Sequence, residues 1–474
     1  MPQCERGSWR VTAIVLGGWL VGLVGCEYKA HYPAELRYPL RKDLLVIKPS
    51  GEQPDLLPGP GLLDQSIRDG LTREENGKRV PKEGVVFYDP SQLTPEQAKA
   101  VRRGLEELFG TPLRPRVDSD KPALDELLLT TDKLAAGSEL FRKHCMHCHG
   151  VAGDGRGPTA PWVHPHPRDY RSGKFKFVSN AAQNAAGEAL DVKPSRADLR
   201  RILLRGIEGT SMPGFESLPS EQLENIISYV IHLSIRGEVE FRTLTQILSG
   251  KLDGPEAIAH FLRETLDGSE VRPGVLDAWA VMNRPEQQLK VPDYPEKYTT
   301  GPDKEKEMAE SIRRGFATFI GKEAGCISCH NDFGRQAKYL HDAWGTLVQP
   351  RNLTVPVYRG GRRPVDLYYR IRGGILPSGM AVATFKRKDD KGQDTDAEDA
   401  EKYWDLIHFV QALPYPKMLP AEVRQRVYGS ALNQNLANQN VTTDRPREMS
   451  RPKGENKGQK SSDTGNGPNN GKQP

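Results

Sequence analysis

Apolar residues recur at helical spacing in several separate stretches of the chain. Between Thr94 and Gly110, the residues Ala98, Val101, Leu105 and Leu108 mark one face. Thr94 is placed to cap that helix, Pro95 opens its first turn, Gln97 completes a capping box and Gly110 stops it. A helix is therefore predicted over this span, with its apolar face as packing surface. Shorter helical patches run over Pro255–Thr265 and Val275–Met282, and Val85–Tyr88 reads as a short strand. The stretch from about Cys26 to Leu63 is Pro-rich and unperiodic, and an extended, partly disordered state is expected there. From about Ala431 onward, Asn, Gln, Gly and Lys displace apolar residues, so a disordered tail is expected. One continuous apolar run, Val11 to Val24, follows Arg6 and Arg10. It is too short to span a bilayer comfortably, and it has the form of a secretory signal.

Composition changes this picture in two ways. The 474 residues predict about three domains. Apolar residues make up 36% and charged residues 27%, with 46 Gly and 37 Pro, so modest cores joined by loop-rich segments are expected. A polytopic membrane protein, a coiled-coil rod and a disulfide-dense mini-domain are excluded. The net charge is +5; the stretch 442–474 holds seven Lys/Arg against four Asp/Glu, which accounts for +3 of it. No basic face is implied, and no nucleic-acid partner is expected.

Six cysteines carry the chemistry. Cys145-Met146-His147-Cys148-His149 and Cys326-Ile327-Ser328-Cys329-His330 share the form C-x-x-C-H. That spacing lets two thiols add to the two porphyrin vinyl groups, with the adjacent histidine under the iron. Chance gives roughly 0.002 such matches in a chain of this composition, so two are a strong signal. Zinc would want a second C-x-x-C or H-x-x-x-H beside each pair, yet the pairs stand 181 positions apart and each has its own histidine. A thioredoxin-like pair would want a βαβ context, which the pattern lacks. Two covalently bound haem c groups are expected, with His149 and His330 as proximal ligands.

The two motifs sit in two copies of one unit. Gly137-x-x-x-Phe141 precedes the first motif and Gly315-x-x-x-Phe319 the second. Pro167-Arg168-Asp169-Tyr170 follows the first, and Pro350-Arg351-Asn352-Leu353 the second. Asp198-Leu199, Gly206-Ile207 and Met212 match Asp366-Leu367, Gly374-Ile375 and Met380, with 14 positions from Asp to Met in both. Tyr229-Val230-x-x-Leu233 and Phe409-Val410-x-x-Leu413 close the copies. The first copy has a longer middle loop, around Val178 to Val192.

In this order of elements each unit resembles a class I cytochrome c domain. The resemblance covers about Thr131–Gly237 and Pro302–Lys417. It implies small all-α domains in which the glycine and aromatic of the first helix pack against an aromatic of the last. The implied fold is mainly α: two such domains, a long irregular N-terminal extension, a helical connector and a disordered tail. The expected segments are a signal peptide over 1–25, an extension with one helix over 26–130, domains over 131–238 and 302–418, a connector over 239–301 and a polar tail over 419–474. The connector is expected to pack the two domains together.

The family places its axial methionine in the loop before the last helix, where Met212 and Met380 stand. His144, His147, His164, His166 and His341 are rivals, read as surface or hydrogen-bonded histidines. By the same resemblance, a backbone carbonyl fixes each proximal histidine, and Pro158 and Pro350 are the candidates. Arg168 and Arg351, at matching positions, are candidates for pairing with a haem propionate. Leu23-Val24-Gly25-Cys26 resembles the lipobox of bacterial lipoproteins, which implies cleavage before Cys26 and its acylation. An exported, lipid-anchored di-haem electron carrier on the periplasmic side of the membrane is implied, with redox proteins or respiratory complex subunits as partners. Catalytic acids, bases and nucleophiles are not identified, so an electron-transfer protein is expected rather than an enzyme. The alternatives are a di-haem peroxidase or thiosulfate dehydrogenase, and an electron-accepting subunit of a periplasmic dehydrogenase.

Overall fold

The computed structural model describes residues 35–43, 45–50, 53–58, 72–75, 77–81, 86–181, 191–342, 347–389 and 394–438. The expected signal segment, Cys4, Cys26 with its acylation, and the tail beyond residue 438 lie outside them. The fold is mainly α. Among the described residues, no helix is long and apolar enough to cross a membrane.

The first helix, α1 (Pro95–Phe109), forms as its sequence dictates. Thr94 Oγ1 accepts from Gln97 N, and Gln97 Oε1 accepts from Thr94 N. Val101, Leu105, Leu108 and Phe109 are buried, so the apolar face is packing surface. Two short strands, β1 (Leu45–Ser50) and β2 (Gln53–Pro58), make an antiparallel hairpin, and a third strand further along (Val86–Tyr88) pairs with β1 on its other edge. The short helix α2 (Ala123–Glu126) leads into the first unit.

That unit comprises α3 (Thr131–His144), the single turn α4 (Met146–His149), α5 (Arg196–Arg205) and α6 (Ser220–Leu248). Helices α3 and α6 cross at Gly137. A Cβ there would overlap the carbonyl oxygen of Asn225 and stand 2.9 Å from Tyr229 Cβ. Phe141 packs on Tyr229 with ring centroids 5.3 Å apart. The second unit repeats this with α9 (Lys304–Ile320), α10 (Cys326–Cys329), α11 (Pro364–Gly373) and α12 (Ala400–Ala412). At Gly315 a Cβ would overlap the Asp405 carbonyl and stand 2.9 Å from Phe409 Cβ, and Phe319 lies 5.4 Å from Phe409. Only glycine lets two helix backbones come this close.

Between the units, α7 (Pro255–Asp267) and α8 (Val275–Val281) match the two helical patches. Helix α6 is 29 residues long and runs ten residues past the expected boundary at 238, because Val239, Phe241, Leu244 and Ile247 are buried. The connector holds both units. Leu289 N donates to Ser179 O of the first, at 2.9 Å, while Tyr368 OH and Trp404 Nε1 of the second donate to the carbonyls of Lys290 and Asp293 at 3.0 Å each.

Two stretches differ from expectation. Residues 35–43 are no loose extension: Tyr38, Arg41 and Asp43 are buried against the first unit. Arg41 N donates to Glu240 Oε1 at 2.7 Å, and Tyr38 OH lies 2.8 Å from Tyr229 OH. The polar tail expected from 419 begins as a helix, α13 (Ala421–Asn438), because Val423 and Val427 bury in the second core.

Candidate haem sites

Each C-x-x-C-H motif forms one helical turn, the first directly after α3 and the second after a gap of five residues from the end of α9. In the first, His149 N donates to Cys145 O at 2.9 Å, which sets the imidazole one turn from the leading cysteine. His149 Nδ1 lies 3.1 Å from the Arg168 carbonyl oxygen. A carbonyl only accepts, so Nδ1 carries the proton and Nε2 keeps its lone pair for a metal. Burial lowers the pKa of His149 to about 4, so the ring is neutral, as ligation requires. In the second unit His330 N donates to Cys326 O at 2.9 Å, and His330 Nδ1 stands 3.0 Å from the Arg351 carbonyl. Burial lowers this pKa as well.

These contacts correct two sequence expectations. The oxygen facing His149 belongs to Arg168, not Pro158. Pro158 stands in the turn just past the motif, where Gly157 N donates to Cys148 O and Thr159 N to His147 O, and that turn folds back on the motif's own backbone. In the second unit the acceptor is one residue beyond Pro350. Successive carbonyls along a non-helical chain point to different sides, so a slip of one residue decides which of them meets the ring.

The methionine loops also repeat. Gly206 and Gly374 turn the chain with positive φ, 66° and 70°. Ile207 N then donates to Met212 O at 3.1 Å, and Ile375 N to Met380 O at 2.9 Å. In the first unit Cys145, Cys148, His149 and Met212 line one cavity of about 740 Å³, walled by Leu199, Leu203, Ile226 and Val230. That volume falls in the range of cofactor pockets, about 300–1,000 Å³. His164 and His166 line it too. The second site is more open, with Cys329 exposed and His330 half-buried.

The donor set suits covalent haem. Burial pushes the Cys145 thiol up to about 12 and the Cys326 thiol to about 11, so both are protonated thiols in the haem-free fold. Among the described residues, no three of His, Cys, Asp and Glu converge as a metal cluster. Three residues lining the cavity carry a buried polar nitrogen without a partner among the described residues: His166 Nε2, Arg351 Nε and Arg359 Nε. A largely apolar group with carboxylates at one edge, as haem is, matches such a lining.

Sequence reasoning missed Tyr170. Its ring stacks on His149 at 4.6 Å and 21°, and Phe175 stacks on Tyr170 at 5.8 Å. Trp279 of α8 meets Phe175 edge-on at 6.3 Å and donates to Glu238 Oε1 at 2.7 Å. The only sequence signal was an aromatic two positions after the arginine of the first motif, and the second copy has Leu353 there.

Comparison with known proteins bears on the first unit. Residues 134–234 match the family model for cytochrome c. A covalently bound haem c and a haem-based redox role go with that match. No curated protein matches the chain. Among solved structures, a chain of the reducing HAO-like protein complex of Kuenenia stuttgartiensis is similar at 18% identity, over 59% of this chain and 95% of that one, with a TM-score of 0.38.

Proposed function

We propose that the protein is a di-haem c-type cytochrome that carries single electrons between redox proteins. One observation carries this reading: both units hold a neutral imidazole by an arginine carbonyl, beside two cysteines, with a methionine in the same turn of the same loop. Bound haem iron takes up and releases one electron. Cys145, Cys148, Cys326 and Cys329 would bind the porphyrin, and His149 with Met212, and His330 with Met380, would hold the iron. The signal-like start and the lipobox at Cys26 support export and a lipid anchor on the periplasmic side of the membrane. Subunits of a respiratory complex are the partners this placement suits.

Visible spectra of the c-haem-matured protein, oxidised and reduced, test this. Both haems are expected to be low-spin, with the weak far-red band of sulfur ligation and no shift on adding peroxide. A high-spin fraction that responds to peroxide would replace this reading with an enzyme.

A further inference from the structure

The cavity of the first unit is closed at one end by the second. Asp342, Gln349, Arg351 and Arg359 all line it, although they belong to the other repeat. Across this seam Lys176 Nζ pairs with Asp342 Oδ2 at 2.9 Å. Arg351 and Arg359 each keep a buried Nε with no partner among the described residues. Burial and the neighbouring Arg351 both lower the pKa of Arg359. Burial and the nearby Arg168 do the same to Lys176, down to about 8 despite its pairing. Cations crowded in a buried seam are short of negative charge, and unpaired donors there are costly.

We propose that Arg351 and Arg359 form a guanidinium clamp, supplied by the second unit, for the carboxylates of the haem held at His149. This rests on the di-haem reading above. Guanidinium pairs with carboxylate through charge-assisted hydrogen bonds, and an orphaned Nε–H is the donor such a bond needs. The sequence pattern put Arg351 by the haem of its own unit; its place in the lining puts it on the other. Arg351 then serves both sites, since its carbonyl orients His330 while the residue lines the first cavity. The two units are thereby joined through the cofactor as well as through protein contacts.

The clamp has an electrochemical signature. Oxidised haem carries one more positive charge than reduced haem, so a nearby cation favours the reduced form and raises the midpoint potential. In the full-length matured protein, Arg359→Gln and Arg351→Gln are each expected to shift the first haem's potential downward and leave the second in place, while Arg359→Lys recovers part of the shift. The waves are assigned with Cys326→Ala/Cys329→Ala, which keeps only the first haem. Resonance Raman propionate modes give a second readout, expected to move in both Gln variants. Two haems with neither signal moved, or with only the second haem's potential lowered, would overturn the clamp. One haem or none in the parent protein would instead overturn the reading on which it rests.

Discussion

Gly137→Ala is expected to destabilise the protein by about 1–3 kcal/mol and to cut covalent haem loading at the first site. Helix propensity alone predicts the opposite sign, since Ala in a helix interior gains about 1 kcal/mol over Gly. Packing decides, because the new methyl would overlap the Asn225 carbonyl and stand 2.9 Å from Tyr229 Cβ. Neither neighbour is the flexible end of a side chain. Relief would need α3 and α6 to move apart, which opens the Phe141–Tyr229 contact behind Cys145 and His149. Gly315→Ala is expected to act alike in the second unit, against the Asp405 carbonyl and Phe409. Thermal melts and haem absorbance per mole of protein check both, and an unchanged or raised melting temperature would refute the close crossing.

Asp43→Ala is expected to cost about 3–5 kcal/mol, the range for removing one partner of a buried ion pair. The Asp43 side chain is fully buried. Arg41 Nε stands at 3.0 Å from it, Arg171 Nη1 at 3.1 Å and Arg156 Nη2 at 3.7 Å. Arg171 also pairs with Asp169, next to the Arg168 carbonyl that orients His149. Loss of Asp43 leaves three arginines in the interior short of a counter-charge and frees residues 35–43 from the first unit. Burial opposes ionisation of Asp43, yet Arg171, Arg41 and Arg156 outweigh it and hold the pKa below the usual carboxylate value. A depressed folded-state pKa stabilises above the unfolded value, about 3.9, and this contribution fades as pH falls through the folded value. The gap between parent and variant in denaturant melts is therefore expected to be full at pH 7 and to narrow only below about pH 4. A constant gap across that range would assign the loss to packing alone.

The helical units were legible in the sequence because their chemistry imposes spacing. A C-x-x-C-H turn, a glycine at a helix crossing and a Gly-Ile turn before methionine each use nearby residues, so the pattern survives in one dimension. The capping box at Thr94 was legible for the same reason. What the sequence hid depends on residues far apart. Arg41 and Glu240 meet across 199 positions, and nothing near Arg41 announces that it will be buried. The histidine-orienting carbonyl was misplaced because backbone direction in a loop follows from how the loop closes. Arg359 is silent in the sequence because the cavity it lines is built mainly by the other repeat. Tyr170 sat inside a matched motif, but its stacking on His149 needs the loop's three-dimensional path.

The central claim is that both units hold covalent haem. Intact mass of the protein produced with c-haem maturation tests it most directly. The expected mass is that of the polypeptide plus two haems, falling by one haem in Cys145→Ala/Cys148→Ala and by one in Cys326→Ala/Cys329→Ala. A parent mass with a single haem, or one that either double variant leaves unchanged, would contradict it.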